Sequence, residues 1–177
     1  MKKDQFFSEN LISWYKKNKR NLPWRKNVND ENYPYKVMVS EFMLQQTGVS
    51  TVIPYFENFI NRWPTIVSLA SAREEDILLA WQGLGYYRRA RNLLKSAKQI
   101  CNQYDSKVPK SLEELQSLPG IGVYASGAIR SIAFDKKAVA VDGNVKRVLA
   151  RYYGFSGRLD QNEKLINEQA SICCPDK

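Results

Sequence analysis

The sequence predicts an all-α protein built from short helices joined by tight turns, and three features carry that prediction. Apolar residues recur at three- and four-residue spacing in one segment after another, as they do on the buried stripe of a helix. The segments are punctuated by Pro, Gly and Asn rather than by long linkers. Alternating β-branched runs, the mark of half-buried strands, are nearly absent.

Residues 5–18 place Phe6, Phe7, Leu11, Ile12, Trp14 and Tyr15 at helical spacing and close on the basic run 16–20. Residues 22–34 hold two prolines with several Asn and Asp and predict a loop. Helices are expected over 35–47 and over 52–63, the second stopped by Pro64. Residues 65–69 form a short helix, and Ser71-Ala72-Arg73-Glu74 resembles a capping-box start for the one reaching Trp81. Gly83-Leu84-Gly85 breaks the chain before a basic helix over 86–104. Ser111-Leu112-Glu113-Glu114 opens a short helix that Pro119-Gly120-Ile121-Gly122 ends. Two more, over 123–134 and 144–153, flank Val139-Ala140-Val141-Asp142-Gly143, and a last one covers 161–172.

A chain of 177 residues suits one domain or two small lobes. Its 44% hydrophobic and 25% charged content belongs to a folded protein rather than a disordered one. The net charge of +9 favours a polyanionic partner. Nucleic acid ranks ahead of a membrane surface, because no basic amphipathic helix with an aliphatic face stands out; a merely solubilising surface is the alternative. There is no His, which excludes Ser/His, Cys/His and His-ligated zinc chemistry. The cysteines are Cys101, Cys173 and Cys174, without a C-x-x-C gap, so no metal site is expected. An odd count with a vicinal pair is a poor disulfide framework and points to a reducing cytoplasm. Met1-Lys2-Lys3-Asp4-Gln5 runs into a polar segment, so neither a signal peptide nor a membrane span is expected.

Three places carry candidate chemistry. In Leu118-Pro119-Gly120-Ile121-Gly122, Gly120 and Gly122 can leave backbone N–H groups uncovered at the positive end of the following helix, a cradle for a phosphate. A plain αα turn has the same composition. Asp142, about twenty residues on, reads either as a helix cap or as a carboxylate for sugar-centred chemistry, with Lys146 and Arg147 supplying positive charge one turn later.

Glu41 lies in a stretch that is apolar almost all round, Lys36 to Thr47, with Val37, Met38, Leu44 and Gln45 as same-face neighbours. A lone acid there is costly unless it is paired with an Arg or protonated; the second case makes a proton donor. Gln45, Gln46 and Thr47 offer amide and hydroxyl groups to bases. Gly83-Leu84-Gly85-Tyr86-Tyr87 followed by Arg88, Arg89 and Arg91 presents aromatics beside cations. Tyr86 is the candidate wedge between bases and the arginines candidate phosphate ligands, with one of the two tyrosines equally suited to a core.

Ser40-Glu41-Phe42-Met43-Leu44-Gln45-Gln46-Thr47, Gly83-Leu84-Gly85-Tyr86-Tyr87, Leu118-Pro119-Gly120-Ile121-Gly122 and Val141-Asp142-Gly143-Asn144-Val145-Lys146-Arg147 occur in that order. Together they closely resemble the adenine DNA glycosylases of the MutY type, within the helix-hairpin-helix glycosylase superfamily that includes endonuclease III; the resemblance runs from about Leu22 to Gly157. It implies two helical lobes with a DNA cleft between them. Residues 1–30 would belong to the second lobe, 31–136 would form a six-helix barrel lobe with the hairpin at 112–134, and 137–177 would be a partial second lobe.

The resemblance also implies roles. Glu41 matches the acid that protonates adenine and handles the attacking water, and Asp142 the carboxylate that stabilises the positively charged sugar. Gln46 and Thr47 match residues entering the duplex, Tyr86 the wedge, and Trp24, Arg25 and Leu44 the adenine pocket. Tyr124 stands where bifunctional relatives carry a catalytic lysine; a phenol cannot form a Schiff base, so base release without strand cleavage is expected. Some thymine-mismatch glycosylases share that Tyr. The implied partner is duplex DNA with adenine opposite 8-oxoguanine or guanine, bound by a monomer. The family's 4Fe–4S cluster and its C-terminal 8-oxoguanine-recognition domain are expected to be absent from this chain, which then reads as a fragment, either an active glycosylase or a DNA-binding remnant.

Overall fold

A computed structural model describes residues 3–175. Met1, Lys2, Asp176 and Lys177, which fall in the expected terminal segments, lie outside the described residues. Among those described, every regular element is a helix: α1 (Lys3–Asn18), α2 (Tyr33–Leu44), α3 (Val49–Arg62), α4 (Ile66–Ala70), α5 (Glu74–Ala80), α6 (Arg88–Gln103), α7 (Leu112–Gln116), α8 (Val123–Phe134), α9 (Gly143–Tyr153) and α10 (Glu163–Cys173). The expected loop at 22–34 contains one 3-10 turn, Pro23–Arg25.

Helix α2 is the centre of the molecule. Seven consecutive residues from Val37 to Met43 are buried, as its nearly all-round apolar sequence requires. It packs against α3, α6 and α8, and the large core around it includes Phe42, Phe59, Trp81, Leu93, Leu118 and Ile129. A second, smaller cluster gathers Leu149, Ala150, Ile166 and Ala170, with Phe7 of α1 and Val139 and Val141 packed against it. Leu22 and Trp24 belong to the larger core, so within 1–30 it is α1 that associates with α10.

Local differences from the expected elements have physical causes. The capping box lies at Thr65 with Ser68 and again at Ser111 with Glu114, each reciprocally hydrogen-bonded. It does not lie at Ser71, whose hydroxyl instead donates back to the Val67 carbonyl while Arg73 precedes α5 without a side-chain cap. Helix α2 stops at Leu44 rather than Thr47, because Gln46 takes a left-handed conformation with φ 59°.

Candidate active site

One open cleft of about 1020 Å³ lies at the end of α2, and it collects residues far apart in sequence. Glu41 faces it from α2, Tyr124 from the first turn of α8, and Asp142 from the start of α9. Trp24, Arg25 and Leu44 line it as well, and Gln45, Gln46, Tyr86 and Arg88 stand along it. Its volume is at the top of the roughly 300–1,000 Å³ usual for small-molecule sites. Trp24 shows only an edge there: it is 2% exposed and packs T-shaped on Phe56 with ring centroids 5.3 Å apart.

Glu41 is 8% exposed and, among the described residues, has no hydrogen bond or ion pair. The ion pair with an Arg that its burial could have required is therefore absent. The cation whose charge acts on it is Arg25, whose Nη1 donates to the Tyr15 hydroxyl at 3.0 Å instead. Burial raises the Glu41 pKa from 4.5 to about 7, with Arg25 opposing the rise. The carboxyl group thus holds or releases a proton near neutrality.

Asp142 both caps a helix and lines the cleft. It is the cap of α9, one oxygen accepting from the Val145 N–H at 2.8 Å, and the other oxygen accepts from the Asn144 amide at 2.9 Å. The carboxylate is held in place while lining the cleft. Tyr124, half exposed, lies within reach of both acids: burial raises its pKa first, and the charges of Glu41 and Asp142 add to that rise.

The hairpin between α7 and α8 is built around Gly120. Its φ is 84°, and a Cβ there would lie 2.8 Å from Asn92 and 2.9 Å from the Phe42 ring. Leu118 and Ile121 anchor the turn in the core, and the Ser96 hydroxyl donates to the Pro119 carbonyl at 2.9 Å. Gly122 caps α8 with no side chain over the helix end, leaving the first N–H groups open to solvent or an anion. Gln45 reaches this turn, its amide 3.4 Å from the Gly120 carbonyl.

The cations of the basic turn separate into different jobs. Arg88 is exposed and lines the cleft. Arg91 pairs with Glu74 at 2.8 Å. Arg89, expected among the phosphate ligands, is 7% exposed and is spent on backbone carbonyls, which excludes it from that role. Lys146 pairs with Glu163 of α10, and Thr47 accepts from Arg89. Both tyrosines are exposed, Tyr86 at 64% and Tyr87 at 40%, so neither serves the core as one was expected to; Tyr86 has a left-handed φ of 48°.

Two contributors were not read from the sequence. Asn144 orients Asp142 directly. Gly127 of α8 meets the carbonyl of Val139, where a Cβ would lie 2.5 Å away, so only a glycine lets the strand-like 138–141 segment reach α8. A small residue four positions into a buried helix was the available signal.

The 4Fe–4S group implied by the resemblance does not fit this chain's own residues. Four thiolates are needed and the sequence has three cysteines. Cys101 packs against the larger core, whereas Cys173 and Cys174 end α10, with the Cys173 sulfur 3.1 Å from the Tyr153 hydroxyl.

Comparison with known proteins gives the family of the chain. The family model described as "HhH-GPD superfamily base excision DNA repair protein" matches residues 39–175. An adenine DNA glycosylase of Buchnera aphidicola (subsp. Schizaphis graminum) is 46% identical over 164 residues, 92% of this chain and 46% of the relative. That of Rattus norvegicus is 50% identical over 150 residues, 82% of this chain and 29% of the relative. The chain therefore spans less than half the length of these relatives. Among solved structures, a thermostable thymine-DNA glycosylase superposes with a TM-score of 0.85 at 27% identity, covering 98% of this chain and 79% of that one. A non-covalent endonuclease III–DNA complex gives a TM-score of 0.75 at 22% identity over 98% of this chain and 82% of that one, a likeness of fold alone. The chain belongs to the HhH-GPD superfamily of base excision DNA repair proteins.

Proposed function

We propose that this chain is the base-releasing part of a monofunctional adenine DNA glycosylase, acting on adenine opposite 8-oxoguanine or guanine. The observation that carries the proposal is the meeting of Glu41, Tyr124 and Asp142 in one cleft, with Glu41 poised to hold a proton near neutral pH. The relatives named adenine DNA glycosylase support the choice of base.

In this reading, the adenine leaves the stack, at a cost that a mispair lowers, and enters the cleft. Adenine is a poor leaving anion. Protonated Glu41 gives its proton to a ring nitrogen as the bond from the sugar to the base breaks, and the electron pair goes to the base, which departs neutral. The sugar then carries positive charge, which the Asp142 carboxylate, fixed by Asn144 and the Val145 N–H, stabilises. Water attacks the sugar carbon and its proton passes to Glu41, leaving free adenine and an abasic site. Tyr124 offers no amine, so the strand stays intact.

The remaining assignments are proposals of the same kind. Tyr86 is the wedge, Gln46 and Thr47 border the vacated position, and Trp24, Arg25, Leu44 and Gln45 surround the base. Gly120, Gly122, Arg88 and Lys146 serve the phosphates. Leu22 and Trp24 with residues 31–136 form one lobe, and α1 with 137–175 the other. The protein works as a monomer in the cytoplasm, at the nucleoid in a bacterium; no helix among the described residues is long and apolar enough to cross a membrane.

A second reading, excision of mispaired thymine, is favoured by the likeness to the thymine-DNA glycosylase structure. Incubation with duplexes carrying A opposite 8-oxoguanine, A opposite G, or T opposite G separates them by the base released. Adenine from the first two supports the proposal; thymine from the third alone replaces it.

A further inference from the structure

Among the described residues, Arg89 is a buried cation with no acidic partner, and it bonds to backbone carbonyls and one hydroxyl. Nη1 donates to the carbonyls of Phe42 at 3.3 Å and Met43 at 2.8 Å, and to that of Gln45. Nη2 donates to the Thr47 hydroxyl at 3.1 Å and to the carbonyls of Leu84 at 3.1 Å and Gly85 at 3.2 Å. One guanidinium thereby joins the last turn of α2, the 45–47 turn and the 83–85 loop. The planar fork suits this, because one nitrogen serves the carbonyls at the end of α2 and the other bridges Thr47 to the Leu84 and Gly85 carbonyls, whereas a lysine ammonium is a single point.

Strained residues directly follow two of the carbonyls it grips. Gln46 follows a gripped carbonyl with φ 59°, and Tyr86 follows another with φ 48°. Neither is glycine, and a left-handed conformation costs such residues free energy unless the surroundings hold it. Arg89 also lies over the Tyr86 ring, 5.4 Å from its centroid, and over the Trp81 ring at 5.6 Å. Helix α2, whose carbonyls anchor the clasp, carries Glu41.

We infer that Arg89 is a positioning residue that locks Gln46 and Tyr86 into one rigid, strained pair on the DNA face and registers that pair to the helix bearing Glu41. It never touches the nucleic acid. Its contribution falls on forcing the base out of the stack, not on the later breaking of the glycosidic bond. The inference rests on the proposed function, and the experiment below keeps the two apart.

The test compares wild type with Arg89→Lys on two duplexes holding 2-aminopurine, a fluorescent adenine analogue that brightens on unstacking, at the target position. In one it faces guanine; in the other it faces an abasic gap, where leaving the stack costs little. With folding checked by thermal unfolding, Arg89→Lys is expected to lower the rate of fluorescence rise and of base release about tenfold or more on the paired duplex. On the gapped duplex the loss should be no more than about threefold. Thr47→Val, which removes a single acceptor of the clasp, is expected to move the same ratio in the same direction by less, and it answers the question if Arg89→Lys fails to fold. Equal losses on both duplexes, or none, overturn the inference. Absence of base release by the wild-type protein itself would instead refute the proposed function, and the fluorescence rise still reports on Arg89.

Discussion

Gly127 and Val139 touch through their backbones: the space that a side chain at 127 would fill is occupied by the Val139 carbonyl, 2.5 Å from the position of a Cβ. That approach lays the extended 138–141 segment along α8, the helix whose first turn bears Tyr124. Asp142 follows directly and caps α9 at the cleft. The distance between Asp142 and the rest of the cleft is thus set by the absence of a methyl group in the neighbouring helix.

Gly127→Ala is accordingly expected to destabilise the protein by about 1–3 kcal/mol, since the obstacle is backbone that cannot rotate away. Thermal unfolding measures this, and base release by the surviving folded protein should also slow. An unchanged melting temperature would mean that the segment does not pack there.

Glu41→Gln separates stability from activity. Burial raises the Glu41 pKa from 4.5 to about 7, so the folded state prefers the neutral acid. Its contribution is fully present below about pH 4.5 and is lost as pH rises through 7; above that, the folded chain carries an unfavourable buried charge. An uncharged Gln has no such loss. The variant is therefore expected to be more stable than wild type at pH 8, by about 3 kcal/mol at most, with the advantage vanishing near pH 4. Denaturant titrations at the two pH values check the sign.

Asp142→Asn keeps an oxygen able to accept from the Val145 N–H, so the cap and the fold should survive. The negative charge beside the sugar is lost. Release of adenine is expected to fall on the order of 100- to 1,000-fold with little change in melting temperature, measured in single-turnover assays with excess protein.

Tyr124→Lys places an amine in the cleft between the two acids. An amine can condense with the sugar aldehyde where a phenol cannot. The variant is expected to form a covalent adduct trapped by borohydride and to nick the abasic strand, and the wild-type protein to do neither.

Much of this arrangement was legible in the sequence because it depends on local pattern. The uninterrupted apolar run around Glu41 marked α2 as buried, and the positive φ of Gly120 follows from the Pro-Gly turn between two helical stretches. Helix α8 was bounded correctly at both ends for the same reason. What the sequence hid was the direction of side chains within a run of like residues. Arg88, Arg89 and Arg91 read as one basic cluster, yet successive helical positions point about 100° apart. All three border the cleft, but the first is exposed there, the second is buried on carbonyls and the third meets Glu74. The end of α2 was hidden for a related reason: the cation that takes its last carbonyls comes from more than forty residues away. Gly127 could be seen as a small residue in a buried helix, but not what it admits, because that backbone belongs to another segment.

The most direct test is the single-turnover rate of adenine release from an adenine:8-oxoguanine duplex, followed from pH 5 to pH 9 for wild type and Glu41→Gln. A proton held by Glu41 predicts that the wild-type rate falls as pH rises through about 7. Glu41→Gln should be slower by roughly 100-fold or more below pH 7, with the gap narrowing as pH rises and wild type loses its proton, and strand breaks should appear only after added alkali. A wild-type rate that ignores pH across this range, or a Glu41→Gln protein as fast as wild type below pH 7, would contradict the account.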